Sequence, residues 1–468
     1  MNEFDYLAKA KTNMEKEKYH EVITLCDEAL KINSDLSKAY DFRGNAKYEL
    51  GQYDEAIHDF SQVIKREPND AGHYYDRSWA YWNINNAEDA IIDISKALEI
   101  EPKNSLYYYE KARFEYWSGR YKESIIDVTK GIELKPTANK YLIRGYCYLE
   151  LEMYSDALTN YNLAIEFDAE FAVAYYRRGI LYKKLEKLEL AEKNFKKAIE
   201  LNSEYDDAMI ELGFVRIQLG KKDAMKYFNK AVKVHPCADT YYWKVKGRQN
   251  ILMREDSLKK LSEGKLIQYS EDEIFNEKQA KDDIKDLSKA LALDSEDIYC
   301  LRLRAARYTY LGQDENALAD YENLAELEPD NQNWALKVAY NKYFVGKHQE
   351  SLDDIDKYLK SDNCCPDDIV YFMRGKANFE LKNYKNAIID FTKGLAFKED
   401  EDFYYNIGLA NYKLKHFILS YKNFKKALEI NPQVEVKKHY KIPLLIKILL
   451  KKNKNNDKAI GLCQIKNG

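Results

Sequence analysis

Ser37–Asp70 reads SKAYDFRGNAKYELGQYDEAIHDFSQVIKREPND. In its first half Tyr40, Gly44, Ala46, Tyr48 and Leu50 fall at helical spacing. Gly51 then supplies the residue type that ends a helix at its C-terminal cap. The second half sets Tyr53, Ala56, Ile57, Phe60, Val63 and Ile64 on one apolar face. Pro68 has no N–H to donate and closes that second helix. The stretch is a helix, a tight turn and a second helix. Gly44 and Ala56 are expected to face each other where the two helices cross, with Phe60 filling the space between this pair and the next. A valine at position 44 would overpack that crossing at a cost of roughly 1–3 kcal/mol.

The same unit recurs along the chain. Arg-Gly appears at 43–44, 144–145, 178–179 and 374–375, and Gly213 and Gly408 continue the phase, with steps of 34 residues from 145 to 179 and from 179 to 213, and of 33 from 375 to 408. Small residues keep the same period at Ala56, Ala90, Ser124, Ala157, Ala191 and Ala224, and resume at Ala317, Ser351, Ala387 and Ser420. Pro68, Pro102 and Pro136 are 34 apart, and Pro236, Pro329 and Pro432 hold the phase. Twelve units start near residues 3, 37, 71, 105, 138, 172, 206, 240, 298, 332, 368 and 401. The first departs from the pattern at Val22 and Cys26, and the tenth at Ser351, Ile355 and Tyr358.

Tyr40, Gly44, Ala56, Phe60 and Pro68 in one unit, and Tyr175, Gly179, Tyr182, Ala191, Phe195 and Ala198 in another, carry a close resemblance to the tetratricopeptide repeat (TPR) family. Its signature is a helix–turn–helix period of this length. The resemblance implies an all-α, right-handed superhelical solenoid of about twelve helix–turn–helix units. It also implies that the first helix of each pair lines an inner groove where ligands bind. On this reading residues 3–239 hold units one to seven and 298–434 hold units nine to twelve.

Two segments break the period. Unit eight, 240–297, carries 24 extra residues between its helices, within REDSLKKLSEGKLIQYSEDEIFNEKQ. Gly264 reads as a helix stop, and Ser270 with Glu273 as a capping box for a new start. Helices over about 240–262 and 271–293 are expected to project as a hairpin, either a decorated loop with no role, or a contact arm for a partner or a hinge between the two halves. The segment 435–468 has nine lysines and two acids and includes PLLIKILLKK. It reads as a capping helix and tail that cover the last exposed core face, with a segment for a membrane surface or an acidic partner as the alternative.

Composition bounds the function. Hydrophobic residues make up 45% and charged residues 32%, enough to bury a core. The net charge of −4 lacks the basic excess of a nucleic-acid binder. No apolar run reaches membrane-spanning length, and the N-terminal MNEFDYLAKAK is not a signal sequence. Seven scattered cysteines fit free thiols in a reducing compartment, hence a cytoplasmic protein. No phosphate-binding loop, nucleophile elbow or paired-histidine motif occurs. Catalytic residues, metal ligands and cofactors are therefore not expected, and His235 with Cys237 lacks a second ligand pair nearby.

The phase of the units places Asn45, Tyr75, Trp79, Tyr109, Arg113, Tyr146, Tyr176 and Arg177 on the inward face, with Lys244, Arg248, Arg302, Lys337, Phe372 and Lys376 in the second half. Tyrosine, tryptophan and arginine are enriched where binding energy concentrates. A peptide groove between units three and six follows. The clamp by which one TPR subclass holds Hsp70 and Hsp90 tails needs a Lys/Asn, Asn, Lys/Arg set that this chain does not supply. Asp41 stands where the first lysine belongs, and the unit after Lys337 and Asn341 lacks the asparagine. The expected function is a non-enzymatic scaffold that binds a protein or peptide. A self-assembling structural component, possible homo-oligomerisation included, and a regulatory subunit of an enzyme complex are the alternatives.

Overall fold

In the computed structural model the described residues are 2–262, 276–361 and 364–431. Gly264, the Ser270–Glu273 pattern, Pro432 and the segment 435–468 lie outside them. The described residues are all-helical, with no strand among them. The first helices of successive pairs are α1 (Glu3–Met14), α3 (Ser37–Glu49), α5 (Ala71–Asn83), α7 (Ser105–Trp117), α9 (Ala138–Glu150), α11 (Ala172–Lys184), α13 (Asp206–Gln218), α15 (Ala238–Ser262), α17 (Ile298–Tyr310), α19 (Gln332–Phe344), α21 (Asp368–Glu380) and α23 (Glu401–Lys413). Their partners are α2 (Tyr19–Ile32), α4 (Tyr53–Arg66), α6 (Ala87–Ile100), α8 (Tyr121–Leu134), α10 (Tyr154–Phe167), α12 (Leu188–Leu201), α14 (Ala224–Val234), α16 (Glu277–Leu293), α18 (Asp314–Leu327), α20 (His348–Leu359), α22 (Tyr384–Gly394) and α24 (Phe417–Ile430). The chain divides into two compact units, Met1–Val234 and His235–Gly468.

Among the described residues, eleven helix pairs are joined through a residue in the left-handed region. Gly51, Gly119, Gly220, Gly312 and Gly346 supply it in five pairs, and Glu17, Asn85, Glu152, Glu186, Lys382 and Lys415 in six others. Glycine reaches that conformation without steric cost, which is why Gly51 ends α3. Helix α16 begins at Glu277, six residues beyond the start expected at 271, because the Asn276 side chain accepts from Gln279 N at 2.9 Å and caps it there.

The helix crossing differs from the expectation. The nearest atoms to a Cβ built on Gly44 belong to Phe60 and Asp59, not to Ala56. A Cβ there would stand 2.9 Å from the Phe60 ring. The aromatic ring of the second helix packs directly against the glycine of the first. The same fit pairs Gly145 with Tyr161, Gly179 with Phe195, Gly213 with Phe228, Gly375 with Phe391 and Gly408 with Phe424. Where the first position carries a Cβ, the second is usually smaller: Ala10 shares a core cluster with Cys26, Ala112 with Val128 and Ala339 with Ile355. Cys26 in the first unit is thus a volume match to Ala10. Ala305 with Tyr321 is the exception.

A row of arginines clips neighbouring pairs together. Arg43 donates to the carboxylate of Asp59 on its own second helix at 2.8 and 2.6 Å, and to Asp27 on the preceding second helix at 2.5 Å. Arg77 takes Asp93 at 2.7 and 2.8 Å and Ser61 at 2.8 Å. Arg144 takes Asn160 and Thr129, and Arg178 takes Asn194 and Asn162. The second unit repeats the device: Arg304 with Asp320 and Ser288, Arg374 with Asp390 and Asp356. A planar fork with five donors can serve two helices at once, which a lysine cannot do in the same geometry.

Candidate functional site

Within the first unit, first helices touch the first helix of the following pair, as α1 does α3, α3 does α5, α7 does α9 and α11 does α13. They form one continuous row. The eight residues singled out from the sequence all lie on that row, on α3, α5, α7, α9 and α11, and they fall into three groups.

The first group is acidic. Asn45 donates to the Asp41 carbonyl at 2.9 Å and to its carboxylate at 3.0 Å, so its amide is engaged within its own helix. Asp41 on α3 meets His73 on α5 at 4.0 Å, and the other ring nitrogen of His73 meets Glu67 at 3.4 Å and Asp70 at 3.7 Å. Asp76 sits one turn beyond His73. Burial, reinforced by the charge of Asp41, pushes the Asp76 carboxyl up to about 6. Among the described residues the groups of three that could hold a metal are Asp41/His73/Asp76 and Glu67/Asp70/His73. Neither includes His235 or Cys237. Sequence spacing hides this cluster because its members come from α3, the α4–α5 turn and α5.

The second group is aromatic. The Arg113 guanidinium lies 5.1 Å from the Trp79 ring centre and 5.6 Å from that of Tyr109, and donates to Glu110 at 2.7 Å. Trp79 stands edge-on to Phe114 at 5.2 Å. Tyr75 packs on Tyr107 at 5.3 Å. Stacking of this kind fixes the rings and spares a ligand the entropy of ordering them.

The third group surrounds Arg177. Its guanidinium lies 4.7 Å from the Tyr146 ring centre and 5.4 Å from that of Tyr176. Tyr176 packs against Tyr205 in a tilted arrangement, ring centres 4.9 Å apart. Tyr146 is only 9% exposed, wedged among Tyr116, Tyr161 and Arg177, and serves packing more than open surface. Burial raises the Tyr146 phenol, and Arg177 opposes that rise. Burial penalises the Arg177 charge, and the surrounding tyrosines oppose that penalty only once they are themselves ionised. The buried Nε of Arg177 and the buried hydroxyl of Tyr161 find no hydrogen-bond partner. Sequence reasoning missed Tyr161, which reads as the aromatic of an ordinary unit.

In the second unit the inward reading fails at several positions. Lys244 and Arg248 turn toward α16, where Asp286 takes Lys244 at 3.0 Å and Arg248 at 2.7 Å, and Asp283 takes Arg248 at 2.8 Å. Those two aspartates lie one turn apart and capture both cations. Phe372 is partly buried and packs against Phe391 and Phe403. Asn341 is buried and donates to the Lys337 carbonyl at 2.8 Å, so its amide closes onto its own helix.

Comparison with known proteins follows the same repeats. Tetratricopeptide-repeat family models match residues 43–105, 172–205, 369–401 and 401–434. DnaJ homolog subfamily C member 3 of Bos taurus is 27% identical over 224 residues, 48% of this chain and 42% of that protein. The Gallus gallus protein of the same name is 28% identical over 209 residues, 44% of this chain and 39% of that one. The chain thus aligns with less than half the length of these relatives. Among solved structures, the C-terminal part of a TPR repeat-containing protein from Cytophaga hutchinsonii is 17% identical, with a TM-score of 0.42, over 49% of this chain and 95% of that one. The helix pairs, their Gly–aromatic crossings and the matched repeats identify the chain as a member of the tetratricopeptide repeat family, whose repeats mark a protein–protein interaction scaffold.

Proposed function

We propose that the chain is a non-enzymatic adaptor that holds an extended peptide, or a helix, of a partner protein against the first-helix row of residues 1–234. The carrying observation is the Trp79–Tyr109–Arg113 group, in which side chains from two successive first helices converge in a fixed, stacked arrangement. Such rings offer large contact area at little entropic cost, and Arg113 adds directional donors. The pattern of free cysteines supports a cytoplasmic setting. No described helix is long and apolar enough to cross a membrane.

The test is a selection of displayed random nine-residue peptides on the full chain, followed by affinity measurement with Trp79→Ala and Tyr109→Ala. Each substitution should weaken the selected peptides about tenfold or more, as loss of a binding hot spot does, with the helical circular-dichroism spectrum unchanged. Selected peptides whose affinity ignores both substitutions would place binding elsewhere and overturn the reading.

A further inference from the structure

On several second helices a surface lysine is paired with an acid one turn away: Lys31 with Glu28 on α2, Lys96 with Glu99 on α6, Lys197 with Glu200 on α12 and Lys425 with Glu429 on α24. Two second helices depart from that pattern. Helix α14 has three lysines, Lys226, Lys230 and Lys233, and no Asp or Glu. All three are exposed, away from the buried Ala224, Phe228 and Ala231, and the exposed Lys222 extends their line from the turn before the helix. Helix α18 is the reverse, with five acids and no Lys or Arg. Its Asp320 is buried and held by Arg304, whereas Glu315, Glu322 and Glu326 are exposed. Asp223, in the turn before α14, is taken by Arg216. Among the described residues no ion pair holds Lys222, Lys226, Lys230, Lys233, Glu315, Glu322 or Glu326.

Like charges one helical turn apart repel, as Lys226 and Lys230 do, and Glu322 and Glu326. A stripe of one sign therefore costs the free molecule something that a stripe of the other sign relieves. The two stripes also match in register. Lys222, Lys226 and Lys233 are separated by four and then seven residues, and Glu315, Glu322 and Glu326 by seven and then four. Steps of four and seven are about one and two turns, so each set keeps to one face. Laid antiparallel, the stripes bring Lys222 to Glu326, Lys226 to Glu322 and Lys233 to Glu315 in a single alignment. From this we infer that a second copy of this chain docks here, the lysine stripe of α14 on one protomer lying antiparallel against the glutamate stripe of α18 on the other. The contact joins unlike faces, so association continues from copy to copy until it closes on itself. Confined to two helix faces, it is small, and the association is weak and dependent on concentration. It uses second helices only and stands or falls separately from the peptide groove.

Sedimentation velocity on the full chain, over a concentration series and at several salt concentrations, tests it. The mean sedimentation coefficient should rise with concentration at low salt. That rise should vanish as the screening length shortens from about 30 Å at about 0.01 M salt to about 3 Å at about 1 M. Lys226→Glu with Lys233→Glu, or Glu315→Lys with Glu322→Lys, should each weaken self-association about tenfold or more, because two exposed ion pairs become repulsions. The two variants mixed in equal amounts should associate again, and so should one chain carrying all four substitutions. Recovery of that kind also shows that the variants are folded. A wild-type chain that stays monomeric across the series overturns the proposal. Association that survives high salt or either reversal overturns it as well. Association lost in both variants and regained neither on mixing nor in the fourfold variant overturns the pairing of these two stripes.

Discussion

Arg177 and Arg178 are adjacent on α11 and project to different surroundings. Arg178 donates to Asn194 at 2.8 Å and Asn162 at 2.6 Å, and so ties α11 to α12 and to the preceding pair. Arg177 lies on tyrosine rings of the first-helix row, with no protein carboxylate among the described residues. The same side chain is a structural clip at one position and an unspent charge at the next. The difference lies in what each helical face meets. Second helices present Asp or Asn to the clip, whereas the neighbouring first helices present rings to the row.

The clip side of the comparison is broken most severely at Arg77. Asp93 is 4% exposed and takes both of its bonds from Arg77. Burial already pushes the Asp93 carboxyl upward, and Arg77 opposes that rise. Arg77→Met should therefore cost about 3–5 kcal/mol by leaving a buried charge alone. Arg178→Met strands only neutral amides and should cost about 1–2 kcal/mol. Repeat arrays unfold in parts, so hydrogen exchange over α5–α6 and α11–α12 is the measurement. Equal losses at the two sites would contradict the assignment of charge as the deciding factor.

Gly179 follows directly and tests the crossing that both arginines flank. A Cβ there would stand 2.7 Å from the Phe195 ring. Gly179→Ala should destabilise by about 1–3 kcal/mol. Adding Phe195→Val, after the natural Ala112 with Val128, should return part of the loss. A double mutant no better than the sum of its parts would show that the size match between the two positions is not what seats the helices.

The sequence carried the helix pairs well, since Gly44, Ala56 and Pro68 repeat with one period and each has a strong local meaning. It misjudged the partner of Gly44, because helical phase gives a face but not which side chain of the other helix reaches it. The arginine clips were visible as Arg-Gly, yet only the glycine was read, though Asp or Asn stands sixteen residues after Arg43, Arg77, Arg144 and Arg178. Lys244 and Arg248 were misassigned to the inner face because α16 follows an insertion, and the phase of Asp283 and Asp286 could not be carried across it. The His73 cluster and the Tyr161 hydroxyl depend on three-dimensional convergence that no spacing reports.

The acidic end of the row offers a milder probe. Asp76 has its carboxyl raised to about 6 by burial and by Asp41, above the ordinary aspartate value near 4. Folding therefore favours its protonated form. Stability from this residue is highest below about pH 4, falls as pH rises toward 6, and then stays low. Asp76→Asn should stabilise the α3–α5 region by about 1–2 kcal/mol above pH 6 and by nothing below pH 4. Thermal melts of both proteins at pH 4 and pH 7 give the comparison. A gain at pH 4 equal to that at pH 7 would mean that ionisation of Asp76 is not its source.

The smallest expected effect falls on Arg177 itself. Arg177→Met forfeits two cation–π contacts, each worth about 0.5–1 kcal/mol at sites open to water. It also removes a charge that burial penalises, and the methionine stem keeps the apolar contact with Tyr146 and Tyr176. The two changes oppose each other, so stability in the absence of ligand should move by less than about 1 kcal/mol. Hydrogen exchange over α9–α11 against wild type measures it. A loss as large as that of Arg77→Met would mean that Arg177 holds the helices together, and that its charge is already spent within the fold.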